Sequence, residues 1–459
     1  MFINNINKKM DNIDDQVRTP HALSYSDMIK VAVPTGSLNY ARNIPSNGGT
    51  FSPDQIINIP MNVAVNSFVD TKRAYISYKV NNTGSVNKLF IDRCGASQFF
   101  DSMRVTGPTG NEISNCQHYN VLCAILADYA PADHTATTLN ISGGASATPV
   151  SAEPYVDTSV TDIGGGRTNI AKGENKTFSH VPQIGFFNTD KYLPLGFLNG
   201  QCTLSINLAS LNTGAVCMTT SEGGQTTTWT ISNVELHLPV IRVSEEFASN
   251  FRSLMASGIN VSAHCNDVSN NTSTVSKSAT GQQDIIIANR KRSVKALLAM
   301  SRLSSNITNM QAESVSARRS LGLTQYQWNV AGVSIPAAPV NGDNKVTSAN
   351  YGQYLLETQR AMGHLGSTVH SLATGAAEYM KATDSSTASK IVYGLDLEAY
   401  SGALSGVNLG SALPLVWQPH IGSGTESATT TGACTIDVFS YYDSMIVLDG
   451  VTGTLTANN

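Results

Sequence analysis

The residues of this chain best suited to hold a metal or act as nucleophiles are nine histidines and seven cysteines. The histidines stand at positions 21, 118, 134, 180, 237, 264, 364, 370 and 420, the cysteines at 94, 116, 123, 202, 217, 265 and 434. None of the histidines forms His-x-His or His-Glu-x-x-His, and no two cysteines form Cys-x-x-Cys. The spacings that close a zinc or other transition-metal site are therefore missing. His118 and Cys123 lie close in sequence, but at i and i+5 of a helix their side chains point to different faces. Gly164-Gly165-Gly166-Arg167-Thr168 has the glycines of a phosphate cradle without its Gly-Lys-Ser/Thr ending, and no apolar strand leads into it. Glu112 with Asp128, or Asp396 with Glu398, would be the carboxylate pairs of a glycosidase. Asp396 and Glu398 share a sheet face at period two, where acids are ordinarily solvated. Arg290-Lys291-Arg292 with Lys295 is the sharpest basic cluster, facing either an anionic partner or water. The sequence thus assigns no catalytic residue, no cofactor-binding residue and no metal ligand, and the chain is read as a non-enzyme.

The elements that would carry such residues follow one plan twice. Each half has strand-like segments, one amphipathic helix, a stretch rich in Gly, Ser, Thr and Ala, a Leu-Pro-Leu strand opener and a long last strand. In the first half the helix spans Asn115–Tyr129, capped by Ser114 or Asn115. Its opener is Leu193-Pro194-Leu195 and its last strand Thr227–Val243. In the second half the corresponding segments are Ser348–Met362, Leu413-Pro414-Leu415 and Cys434–Leu448.

Composition supports a β architecture that buries its surface against copies of itself. At 459 residues the chain accommodates two large domains. Charged residues are 14% of the total, against about 25% in ordinary soluble proteins. A surface so thin in charge, with net charge −4, gives little protection against association. That balance also argues against a basic protein coating nucleic acid, and no specific nucleic-acid binding is expected. No signal peptide opens the chain, and no apolar run is long enough to span a bilayer. Unpaired cysteines among apolar neighbours point to synthesis in a reducing compartment.

Residues 1–50 lack sustained periodicity and read as an N-terminal arm. Lys8, Lys9, Arg18, Lys30 and Arg42 nearly balance Asp11, Asp14, Asp15 and Asp27 there, so the arm is not polybasic. From Ile57 the alternation Ile57, Ile59, Met61, Val63, Val65 marks strands. Ser244, followed by Glu245 and Glu246, caps a helix carrying Phe247, Phe251, Leu254 and Met255, with Gly258 at its end. The division predicted is an arm over 1–50, a first β barrel over 51–243, a linker helix over 244–258, a second barrel over 259–450 and a tail over 451–459. About eight strands per half with Gly/Pro/Asn punctuation fits an all-β chain of two tandem eight-stranded jelly rolls, with a few short helices. Periodicity alone leaves an immunoglobulin-like sandwich open.

An ordered set of motifs carries a resemblance. It comprises Phe51-Ser52-Pro53, Ser67-Phe68-Val69-Asp70, Tyr75-Ile76-Ser77-Tyr78-Lys79-Val80, Phe100-Asp101-Ser102-Met103-Arg104-Val105, Gly110-Asn111-Glu112-Ile113, Tyr192-Leu193-Pro194-Leu195-Gly196, Thr230–Leu236 and Arg292–Leu297. In this order the motifs resemble the double jelly-roll major capsid proteins of polinton-like viruses and relatives, the lineage of adenovirus hexon. The resemblance implies a structural subunit of a double-stranded DNA virus. It implies homotrimers forming pseudo-hexameric capsomers, neighbouring capsomers, penton and minor capsid proteins as partners, and a place in the virion after assembly inside the host cell. A carbohydrate-binding or adhesive β-sandwich fibre protein, or a minor capsid protein, is the alternative reading.

Overall fold

The computed structural model describes residues 37–84, 89–91, 94–145, 169–211, 216–217, 228–276, 279–307, 315, 318–342, 351–363, 379, 389–400, 404–410, 414–422 and 433–458. The alternation read from the sequence places its apolar residues on one side. Along Tyr75–Asn82 the side chains of Ile76, Tyr78, Val80 and Asn82 are buried while those between them are not. Leu415–Ile421 alternates in the same way. Faces of this kind cover themselves by stacking sheet on sheet.

The first barrel is built of β1 (Ser37–Asn43), β2 (Ile56–Pro60), β3 (Tyr75–Asn82), β4 (Phe100–Thr106), β5 (Glu112–Cys116), β6 (Asn175–His180), β7 (Thr203–Leu208) and β8 (Trp229–Arg242). They form two antiparallel sheets, ordered β1-β8-β3-β6 and β2-β7-β4-β5. The second barrel has β9 (Val261–Val275), β10 (Ile285–Ile287), β11 (Val294–Leu303), β12 (Leu323–Val330), β13 (Val333–Asn341), β14 (Tyr393–Asp396), β15 (Leu415–Ile421) and β16 (Cys434–Leu448). Its sheets run β9-β16-β11-β14 and β10-β15-β12-β13. Adding eight to each of these strands of the first barrel reproduces those of the second; Thr50–Phe51 and Ser67–Val69 also pair with β8, and Gly281–Gln282 with β15. The duplication is thus a repeat of topology, and each barrel is a jelly roll.

A helix follows the fifth strand of each barrel: α1 (Tyr119–Tyr129) after β5 and α3 (Gly352–Ala361) after β13. Helix α1 starts four residues later than its periodicity predicts, because Glu112–Cys116 pairs with β4, Cys116 opposite Met103. His118, at φ 49°, turns the chain from that strand into the helix. The first Leu-Pro-Leu opens no strand: Leu193 makes one bridge to Val69, and Leu195–Phe197 is a 3₁₀ turn. In the second, Pro414 leads directly into β15, and Leu413 lies outside the described residues. Between the barrels lies α2 (Glu245–Ala256), where Ser244 Oγ accepts a hydrogen bond from Phe247 N–H as the cap predicts. Phe247 and Phe251 pack against Phe68, with ring centroids 6.0 and 5.3 Å away, which fixes the helix to the first barrel.

Within the stretch assigned to the arm, Ser37–Asn43 pairs along β8, from Ser37 opposite Arg242 to Asn43 opposite Leu236. Within the assigned tail, Leu455–Asn458 pairs with Met445–Leu448. One apolar core continues through both barrels and α2. In the second barrel it holds Trp328 and Trp417, 5.9 Å apart and both fully buried.

Candidate functional site

Most of the acidic, histidine and cysteine residues singled out in the sequence take partners or surroundings other than those the candidate pairs would need. Cys123 is buried, and burial pushes its thiol up to about 12. His118 instead meets Asp437 of the second barrel. Glu112 accepts a hydrogen bond from Asn115 Nδ2, while Asp128 is buried beside Arg318 and Lys390. Glu398 pairs with Lys295 Nζ at 3.1 Å, and Asp396 Oδ1 accepts the Glu398 backbone N–H. Of the basic cluster, Arg290 and Arg292 are exposed. Lys291 lies over the Tyr442 ring at 4.3 Å. Lys295 also reaches Asp443. Gly164–Thr168, His21, His364 and His370 lie outside the described residues. Among the described residues no group of three or more His, Cys, Asp or Glu side chains is placed to hold a metal ion.

What the fold does bring together is a polar seam between the barrels. In β16 the sequence Ile436-Asp437-Val438-Phe439 sets a carboxylate among apolar neighbours, with no exposed surface on its side chain. Asp437 Oδ2 accepts from Arg302 Nε at 2.9 Å and from its Nη2 at 2.7 Å. Asp437 Oδ1 lies 2.6 Å from Nδ1 of His118, on the first barrel. A second cluster has the opposite polarity: Asp128 Oδ2, on α1, lies 2.7 Å from Arg318 Nη2 of the second barrel, with Lys390 Nζ at 3.8 Å from the other oxygen. At a third point Asp267 Oδ1 accepts from Ser114 Oγ, the Gly185 N–H and the Val268 N–H at 2.7–2.9 Å. The Tyr442 hydroxyl donates to its other oxygen at 3.1 Å. The 181–202 loop also covers the edge of β9, through a bridge of Thr189 to Cys265 and a bond from Asp190 N–H to His264 O. An exposed strand edge is an aggregation hazard, and here it is closed within the chain.

Burial and charge act in opposition on these groups. Burial alone would raise the Asp437 carboxyl, but Arg302 and His118 outweigh it and hold the group well below the usual carboxylate range. Burial raises Asp267 despite its four hydrogen bonds. Burial also lowers His180 to about 4. Its Nε2 lies 2.6 Å from the Tyr119 hydroxyl, which accepts from Gln183 N–H. Tyr119 therefore donates its proton to His180, a neutral ring with hydrogen on Nδ1. Buried charges survive only when paired, and their directional pairing favours one docking geometry over others. The seam's chemistry is thus positional: it fixes how the barrels stand against each other. Sequence reasoning overlooked it, although an Asp inside an apolar strand is the signal it leaves.

No family model matches the sequence, and no curated protein matches it. Solved structures do. The chain is similar to VP54 of PBCV-1, in the crystal structure fitted into a reconstruction of the virophage Sputnik. That match has 10% identity, 95% of this chain and 99% of the other covered, and a TM-score of 0.58. It is similar to the Faustovirus major capsid protein at 10% identity, with 93% and 92% covered and a TM-score of 0.59. A chain of the PBCV-1 virus capsid gives 11% identity, 95% and 100% covered, and a TM-score of 0.55. At these identities the likeness establishes the architecture, and with the repeated strand order it makes this chain a double jelly roll.

Proposed function

We propose that this chain is the major capsid protein of a double-stranded DNA virus, a structural subunit of the virion that acts by assembly and not by catalysis. The observation that carries the reading is the repeat of one eight-strand order within a single chain, matched over nearly its full length by structures named as a virus capsid and a major capsid protein. Two like barrels held side by side give a closed trimer six similar flanks, an outline that tiles a flat facet. The subunit would form homotrimeric capsomers, each contact burying more than about 2,000 Å² as obligate interfaces do. Neighbouring capsomers, and penton and minor capsid proteins, would be its further partners. Size-exclusion chromatography with light scattering tests the reading. A trimer mass at micromolar concentration and hexagonal particles in electron micrographs are expected, and a stable folded monomer would overturn it.

A further inference from the structure

Assembly leaves the basic cluster Arg290-Lys291-Arg292 without a task. It lies in the turn between β10 and β11, and hydrogen bonds fix that turn from two sides. Lys291 N–H donates to Asn289 Oδ1 at 3.0 Å, and Lys291 O accepts from Leu409 N–H at 2.9 Å. Elsewhere in the barrel Lys295, Arg302 and Arg318 each pair with a carboxylate. Among the described residues no cation of this turn does so. Arg290 and Arg292 are exposed, so water screens them, but Lys291 is half-buried. Burial lowers the pKa of its ammonium, and Asp267 and Glu112 offset this without forming an ion pair. The ammonium lies over the Tyr442 ring at 4.3 Å and has no hydrogen-bond acceptor among the described residues. An aromatic face meets one side of an ammonium and leaves its other N–H donors unused.

Lys291 lines a cleft of about 160 Å³ whose walls come from both barrels. The first barrel supplies Glu112 and Gln117 from β5 and the residues after it, the second Ser269 and Asn270 from β9. Ammonium, hydroxyl and carboxamide make this lining rich in donors. Asn270 Nδ2 is buried without an acceptor, while its Oδ1 takes the Thr272 hydroxyl at 3.0 Å. The Tyr442 hydroxyl donates to Asp267 at 3.1 Å, which holds the ring beneath Lys291 in place. A half-buried cation without a contacting counter-charge is a cost that a bound anion offsets. A carboxylate would bring two oxygens and one charge; a phosphate monoester brings three oxygens and nearly two charges. We propose that this cleft binds a phosphate group, free or as a small monoester. Lys291 is its central contact, Ser269 and Gln117 donate around it, and Arg290 and Arg292 supply the surrounding positive field. Glu112, whose Oε2 accepts from Asn115 Nδ2 at 3.0 Å, opposes the anion from the far wall.

The test titrates the full chain with inorganic phosphate and with glycerol 3-phosphate in a calorimeter, at fixed ionic strength. Wild type should bind either probe saturably, at millimolar concentration or below, and the tighter probe tells whether the free or the esterified group is held. Lys291→Met should weaken binding ~10-fold or more, as loss of a charge-assisted hydrogen bond does. Arg290→Gln and Arg292→Gln, which act through the field alone, should weaken it about 2–5-fold. Glu112→Gln should tighten it, because the repelling carboxylate is gone. These last three side chains are exposed, so their variants keep the wild-type circular dichroism and carry the test if Lys291→Met fails to fold. No saturable binding by wild type, or an affinity unchanged in folded Lys291→Met, would overturn the site. Equal small losses in all three basic variants, with no gain in Glu112→Gln, would show only a diffuse charged patch and overturn it as well.

Discussion

His118 of the first barrel and Asp437 of the second meet across the seam at 2.6 Å, Nδ1 to Oδ1, while the other Asp437 oxygen receives Arg302. Removing the carboxylate charge leaves a buried guanidinium without its counter-charge, which costs about 3–5 kcal/mol. Removing the histidine costs one hydrogen bond to a charged group, about 1.5–3 kcal/mol. Asp437→Asn should therefore destabilise more than His118→Ala in chemical unfolding. The folded carboxyl lies below its ordinary value, so this contribution is complete above a pH of about 3.9 and is lost as pH falls through the lower folded value. Equal losses in the two variants would mean that Arg302 does not depend on Asp437.

Gly185 closes the same seam at a second point. Its N–H donates to Asp267 Oδ1 at 2.8 Å, and a Cβ placed on it would lie 2.6 Å from the Asp267 Cβ and 2.7 Å from its Cγ. Asp267 is itself held by Ser114 and Tyr442, so it has little room to retreat. Gly185→Ala should cost about 1–3 kcal/mol through overpacking. Gly173→Ala, with nothing near its Cβ but φ at +72°, should cost only the backbone strain of the left-handed region. A smaller loss at Gly185 than at Gly173 would contradict the packing account.

The pattern of these contacts explains what was legible beforehand. The limits of β16 and the Ser244 cap were readable because alternation and capping are local physics. The start of α1 was not, since Glu112–Cys116 has helical spacing of apolar residues and becomes a strand only because β4 offers it a partner. Ser37–Asn43 lacks a strand signature for a related reason: Leu38 and Tyr40 face outward, so its apolar residues do not mark the core side. Asp437 and Asp128 could not be matched with His118 and Arg318 by spacing, because each pair lies on different barrels and meets only after both have formed.

His180 should make the first barrel acid-sensitive. Its ring is held neutral to about 4, against 6.5 ordinarily. Between these values the unfolded chain binds a proton that the folded chain refuses, so stability falls as pH drops through that window. At ~1.4 kcal/mol per unit the loss is about 3 kcal/mol, reduced to about 2 because the residue keeps some solvent contact. Asp101 and Asp267, raised by burial, act with the opposite sign, so the readout is the difference from His180→Gln. Unfolding free energies of the two proteins should diverge by about 2 kcal/mol between pH 7 and pH 4. Parallel curves would show that His180 titrates normally.

The cysteines at 94, 116, 123, 202, 265 and 434 are buried and unbridged. Burial pushes Cys123 and Cys202 from 9.0 up to about 12. Because only the thiolate attacks a disulfide reagent, a rise of that size lowers the reactive fraction at pH 8 by roughly 1,000-fold, before any steric exclusion. Cys123 lies on α1 and Cys202 in the first barrel just before β7, so exposing them requires that barrel to open. Native protein at pH 8 should therefore release almost no colour with Ellman's reagent from these six, and denaturant should release all of them together at the unfolding transition. Early reaction of Cys123 or Cys202, ahead of the loss of circular dichroism, would show that the first barrel opens locally while the second holds.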